Sequence, residues 1–330
     1  MNTKGIDKGV AIAINQARVI NEAETFEKMA QIGPRVCITT ANSPGFLGFH
    51  ALIQVGAHPL GGRYGAAQII TAESLEKVIE SPTNIRLNPL DLWQYTMWND
   101  MDDHEQMHHE NFSRIFELCG GCLSFVVDGP HEPMFTVVDA DLPPLMGMTD
   151  VPSVLGQAFA ANQPVPKVRL EHRRLVAVGE HKVKADRENE FLEGAVATLN
   201  LLKEHAPGMI GWMIMKKHGE SGIGPMQFSP PYFWEGIETL GANPPSAPIT
   251  NYGEWGKDYR GFATPHTGDP EYFVHMEWET PSALSFGLAL TAVNPKIRKV
   301  HDEGVLMTLA KMPPYYRVFA PMMEDMVFFH

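Results

Sequence analysis

The chain has 330 residues, 44% of them hydrophobic, enough for a sizeable core in one large domain or two fused smaller ones. Its 26 basic and 39 acidic side chains give a formal charge of −13, which argues against phosphate backbones or anionic lipid as partners. Three cysteines, an odd number, argue against a disulfide framework and for metal binding, thiol chemistry or plain burial.

The N-terminal stretch MNTKGIDKGVAIAINQ has no long apolar h-region, and no apolar run approaches the roughly 18 residues of a membrane span. A soluble, cytoplasmic protein is expected, with no membrane or nucleic-acid partner. Along the chain, VAIAI (10–14) reads as a strand and 22–31 as a helix. VCITT follows, read as a further strand, then the turn PGFLG (44–48) and the strand FHALIQVG. LWQYTMW (92–98) is a strand that ends on Trp98 and leads into a helix. The order then begins again. LVAVGEH (175–181) reads as a strand, 187–205 as a long amphipathic helix, PGMIG (207–211) as the turn and WMIMKKHG as the next strand. YFVHMEW (272–278) ends on Trp278 and leads into another helix.

A β-α-β unit with a Pro-Gly turn before its second strand, followed by a strand and a helix, is the order of a ferredoxin-like half. Two such halves, approximately 8–140 and 172–330, predict an α+β fold: two ferredoxin-like repeats fused into one α+β barrel surrounded by helices, as a single domain over 1–330. Residues 141–168 and 224–270, rich in Pro, Gly and polar residues, read as long loops. The tail PPYYRVFAPMMEDMVFFH is too apolar to be free and is expected to pack on the barrel or on a neighbouring subunit.

The segment MDDHEQMHHENFSRIFELCGGC (101–122) carries the strongest chemical signal. At about 100° per residue, His104, His108, Asn111, Phe112, Ile115 and Cys119 share one stripe. Asp103, Glu105, Gln106, His109 and Glu110 fall on the remaining circumference, and Gly120-Gly121 stops the helix. Histidines at i and i+4 can direct two imidazole nitrogens at one ion. Two metal readings compete. A closed zinc site would use His104, His108, Cys119 and Cys122. Its difficulty is that residues 108 and 119 are separated by about 16 Å of rise in a straight helix. The other reading takes Glu132, in GPHEPMFTVV, as a third ligand returned to the helix by a strand, giving the two-histidine, one-carboxylate set of mononuclear iron enzymes. If that segment is extended, His131 faces away from Glu132.

The motifs GP-x-VC, PGF-x-GF, W-x-D, DHE-x-MH, C-x-x-C, GP-x-EP, MTD, GIG-x-MQF and PMME occur in this order over roughly 33–325. In this combination the chain resembles sulfur oxygenase reductase. The resemblance implies a mononuclear non-haem iron held by His104, His108 and Glu132. It also implies a catalytic Cys37 that carries a persulfide or longer sulfane chain, with Cys119 and Cys122 assisting. Met322 and Met323 would stand at the pocket entrance, and Met148 and Phe159 would line a channel. The substrates would be elemental sulfur and O2, and the assembly a hollow sphere of 24 subunits. Val151 follows MTD where the family pattern has an aromatic residue. The stretches 71–92 and 240–270 are longer than the family norm.

The chemistry agrees with these residue types. A thiolate opens an apolar sulfur ring by attacking an S–S bond, and methionines suit a polarisable substrate. GIGPMQF (222–228) lacks the spacing of a dinucleotide loop, so no flavin or nicotinamide is expected. From another class, a zinc-containing structural barrel that carries sulfur or serves assembly is the alternative. A cofactor-free monooxygenase of the same barrel type is a further one.

Overall fold

The computed structural model describes residues 6–29, 40, 42–59, 85, 88–108, 125–143, 175–221, 264–311 and 315–321. Cys37, Cys119, Cys122, Met148, Val151, Phe159, Met322 and Met323 lie outside the described residues, as do both long loops over most of their length.

Among the described residues, eleven strands form one sheet: β1 (Ala11–Val19), β2 (Phe46–Pro59), β3 (Leu90–Trp98), β4 (Val126–His131), β5 (Pro133–Asp141), β6 (Leu175–Val183), β7 (Met209–Glu220), β8 (Thr264–Pro265), β9 (Glu271–Trp278), β10 (Leu309–Lys311) and β11 (Tyr315–Pro321). Eight of them close into an antiparallel barrel in the order β6-β11-β2-β3-β1-β5-β7-β9, with β9 returning to β6. Closure removes the free edges that an open sheet would expose. β4 and β8 pair outside the ring, on β1 and β7, and β10 pairs with β6. The fold is α+β, a closed barrel with a few helices. Observed strands run longer than the sequence reading placed them: β1 continues to Val19 and β2 starts at Phe46. Thr40, the end of the VCITT run read as extended, is helical.

The two Pro-Gly turns have a common physical basis. Gly45 and Gly208 both take positive φ, 77° and 86°, a conformation that glycine adopts without a Cβ clash. Each glycine carbonyl accepts a hydrogen bond at 2.8 Å, from Asn99 N in the first half and Glu279 N in the second. A Cβ on Gly45 would collide with Asp103, and one on Gly208 with Ala283, so each turn packs on the first turn of the helix that follows the Trp strand. The tryptophans are placed alike. Trp98 is the register partner of Ala11 and Phe46, and Trp278 of Leu175 and Met209.

Strand alternation separates two apolar layers. Ile12, Ile14, Trp93, Tyr95, Met213 and Phe273 fill the barrel interior. Outward-facing Leu175, Ala177, Ile214, Val274 and Trp278 are covered by helices. The long helix Glu188–His205 buries Phe191, Ala195, Leu199 and Leu202, the spacing of a single apolar stripe. It crosses the helix Pro295–Gly304 so closely that Gly194 and Gly304 meet backbone to backbone. No helix among the described residues is long and apolar enough to cross a membrane.

Candidate metal centre

The ligand helix begins directly after β3 and is helical over 101–108. Asp100 caps it, its Oδ1 accepting a 2.9 Å hydrogen bond from Asp103 N. This start sets His104 and His108 one turn apart on the face toward the barrel wall, 0% and 5% exposed. Their ring centroids are 4.2 Å apart, and the rings of Trp98 and His104 meet in a T-shaped contact with centroids 5.3 Å apart. Glu132, 2% exposed, sits at the junction of β4 and β5, just before Pro133 opens β5. The register of β5 on β1 brings it opposite the outward face of β1. There Asn15 Nδ2 donates to Glu132 Oε1 at 2.7 Å. His131 points away and meets Asp128 at 3.1 Å, as alternation requires.

His104, His108 and Glu132 therefore come together. His104 Nε2 is 3.3 Å from Glu132 Oε1 and His108 Nε2 is 3.6 Å from Oε2. Those gaps are at or beyond the long end of ordinary hydrogen bonds. Two donors each about 2.1 Å from one tetrahedral ion lie roughly 3.4 Å apart.

The other ring nitrogens are held from behind. His104 Nδ1 is 3.1 Å from Glu105 Oε1, and Ser221 Oγ donates to that same oxygen at 2.7 Å. Ser221 Oγ is also 3.2 Å from His108 Nδ1. Since the serine proton goes to Glu105, its oxygen accepts from His108 Nδ1–H. With hydrogen on both Nδ1 atoms, Nε2 is the nitrogen of each ring directed at the position beside Glu132, where a bound ion would displace the proton that His104 Nε2 carries without one. Donor atoms of His104, Glu105 and His108 also lie within 4.8 Å of one another.

Electrostatically the site favours positive charge. Burial works against a charge on His104, yet the Glu132 carboxylate, with hydrogen bonds to Glu105 and Glu132, carries its pKa up to about 9. Burial pushes Glu132 up, but the charges of His108 and His104 outweigh it and bring it to about 2. Glu105 is also lowered: burial opposes its charge, but the His104 bond and charge prevail. His108 is lowered, chiefly by burial. With two carboxylates anionic, His104 keeps a proton between them. A divalent ion at the same place would supply that positive charge. The donor set, two imidazoles and a carboxylate, fits such an ion.

Sequence reasoning assigned no role to Asn15, Trp98, Glu105 or Ser221. It put Glu105 on the circumference away from the histidine stripe, whereas its side chain is 14% exposed and hydrogen-bonded into the site. The available signals were a carboxylate adjacent to a candidate ligand and an asparagine inside an apolar strand.

Fold and site together define an α+β barrel protein with a buried, metal-capable histidine–glutamate centre on its outer wall. The sulphur oxygenase reductase family matches residues 8–329, and the chain belongs to that family. It is an oxygen-dependent sulfur oxidoreductase, with sulfur and O2 as substrates. Among solved structures, the chain is similar to an anthrone oxidase-like protein at 11% identity and TM-score 0.48, covering 96% of this chain and 92% of that one. It is also similar to a putative monooxygenase from Fusobacterium nucleatum at 8% identity and TM-score 0.46, covering 96% and 93%.

Proposed function

We propose that the chain disproportionates elemental sulfur with O2 into sulfite, thiosulfate and hydrogen sulfide at a mononuclear non-haem iron held by His104, His108 and Glu132. The convergence of two Nε2 atoms on one buried carboxylate carries this reading. Glu105 and Ser221 act behind the ligands by fixing the Nδ1 protons. Bound iron supplies Lewis-acidic redox chemistry at coordination positions that three protein ligands leave open.

Substrate capture falls to Cys37. Its thiolate attacks an S–S bond of the sulfur ring, a Cys–S bond forms, and the cleaved sulfur leaves with the electron pair as the end of a linear polysulfane. Cys119 and Cys122 assist, Met322 and Met323 guard the entrance, and Met148 and Phe159 line a channel. Oxidised and reduced products come from the same substrate, so no nicotinamide or flavin is required.

The chain is read as a single domain over 1–330 whose halves, 8–140 and 172–330, are ferredoxin-like repeats. The strand order supports this: β2-β3-β1-β5 in the first half and β7-β9-β6-β11 in the second place equivalent strands alike. A hollow homo-oligomer of 24 cytoplasmic subunits completes the reading. Phe286, Val293 and Met307 leave apolar side chains exposed in the second half, surface that self-association would cover.

The test is aerobic incubation of the purified protein with dispersed sulfur and no added cofactor, beside a Cys37→Ala control. Sulfite, thiosulfate and sulfide appearing together, only with Cys37 intact, is the expected result. Oxidised products without sulfide would replace the disproportionation by a simple sulfur dioxygenation. Neither product from an iron-loaded protein would refute the substrate.

A further inference from the structure

A second set of the same donor types lies inside the barrel. His50 on β2 and His275 and Glu277 on β9 each offer a ligand atom within 4.8 Å of the others. They are 3%, 0% and 1% exposed. His275 and Glu277 are two residues apart, so both project from the same face of β9, the face that carries Phe273 into the interior. His50 shares the inward face of β2 with Leu52. β2 and β9 are not neighbours, because β11 and β6 stand between them in the ring. The three side chains therefore meet across the lumen, one from the first half of the chain and two from the second.

The spacing is that of donors around an ion. His275 Nε2 is 3.3 Å and His50 Nε2 is 3.8 Å from the same Glu277 oxygen. Direct N–H···O bonds span about 2.7–3.2 Å, whereas two donors on a tetrahedral ion stand roughly 3.4 Å apart. A partner behind the ligand is also present. Tyr95, the cross-strand partner of His50, has its hydroxyl 3.4 Å from His275 Nδ1, the arrangement that orients a ligating imidazole through its other nitrogen. Apolar residues, among them Trp93, Met213, Met215 and Phe273, fill the same interior. An ion held there would offset the charge of the buried carboxylate.

We propose that His50, His275 and Glu277 form a second metal site, inside the barrel, for one divalent first-row transition ion. Because the buried donors come from both halves of the chain, a bound ion would clasp those halves across the lumen. It is separate from the first centre. Ile14 pairs with Tyr95 and faces the interior, while Asn15, the next residue, faces Glu132 on the outer wall.

The test measures metal content per chain, by elemental analysis, in full-length protein produced with zinc or cobalt. Wild type is expected to hold one equivalent more than either Glu277→Gln or His50→Gln, and Glu132→Ala is expected to keep that interior equivalent. In Glu132→Ala, cobalt should still give d–d absorption bands of a nitrogen–oxygen site, and adding His50→Gln should abolish them. If Glu277→Gln fails to fold, His50→Gln, which keeps a neutral polar side chain, decides alone. The proposal is overturned if Glu132→Ala binds no metal, or if His50→Gln and Glu277→Gln match wild type in content. If Glu132→Ala instead matches wild type while His50→Gln loses an equivalent, the interior site stands and the first centre's ligand set fails.

Discussion

Ser221→Ala isolates the orienting role of the groups behind the first centre. Ser221 is fully buried and closes the link between Glu105 and His108. Alanine removes a 2.7 Å hydrogen bond to a carboxylate and leaves His108 Nδ1–H without its acceptor at 3.2 Å. Hydrogen bonds to charged groups contribute about 1.5–3 kcal/mol, and losing such a partner weakens metal binding roughly 10- to 100-fold. The backbone is not perturbed, because Ser221 N still donates to the Glu132 carbonyl at 2.8 Å. The expected outcome is a folded protein with an unchanged far-UV spectrum and a 10- to 100-fold weaker affinity for iron(II) or cobalt(II), read by chelator competition. Glu105→Gln keeps an acceptor for His104 and should lose less than Glu105→Ala. An affinity within about twofold of wild type for Ser221→Ala would refute the claim that the Nδ1 bonds set the ligand geometry.

Glu132→Ala and His104→Ala should each abolish iron at the outer centre, measured as bound iron per chain; full occupancy would move the ligand set elsewhere. Cys37→Ala should retain iron yet lose sulfur turnover, and Cys119→Ala or Cys122→Ala should lower turnover only partly. Complete loss with unfolding in the latter pair would favour a structural zinc site. Acid should destabilise the barrel through His181 and His301, whose pKa values burial lowers from 6.5 to about 4. Their folded values lie below the unfolded one, so between pH 6.5 and 4 the unfolded chain binds protons that the folded chain does not. Stability present above that window is lost as pH falls through it, by up to about 3 kcal/mol per histidine. Thermal denaturation from pH 7 to 4.5 checks this, and a flat Tm over that range would contradict it.

The two Pro-Gly turns, the strands that end on tryptophan and the long helix were legible because each rests on a local signal. Gly45 and Gly208 show why the turn motif recurs, since both need a positive φ against the following helix. Barrel closure was not legible in detail. It depends on β5 pairing with β7 and β11 with β2, contacts between distant segments that no local pattern encodes. Glu105 was misplaced for a related reason. A helical wheel separates one face from another, but it cannot show that Ser221, at the end of β7, reaches the flank of the ligand helix. The interior cluster was hidden by burial on both faces of β9. Tyr272, Val274, Met276 and Trp278 are as buried as His275 and Glu277, so alternation alone did not separate lumen from outer layer.

The two helices that follow the Trp98 and Trp278 strands differ in what they bury. The ligand helix begins three residues after Trp98, and the helix Pro281–Val293 begins three residues after Trp278. At the offsets of His104 and His108, the second helix carries Leu284 and Leu288, 0% and 3% exposed. In that half the helix face is ordinary core, and burial of each leucine contributes about 1.5–3 kcal/mol. In the first half the same positions hold imidazoles, and burying them is favourable only with partners for both ring nitrogens. Glu105 and Ser221 serve the Nδ1 side, and Glu132, held by Asn15, serves the Nε2 side. One copy of the helix thus supplies packing. The other gives up that packing for a polar centre whose two carboxylates are fully compensated only when a cation sits between them.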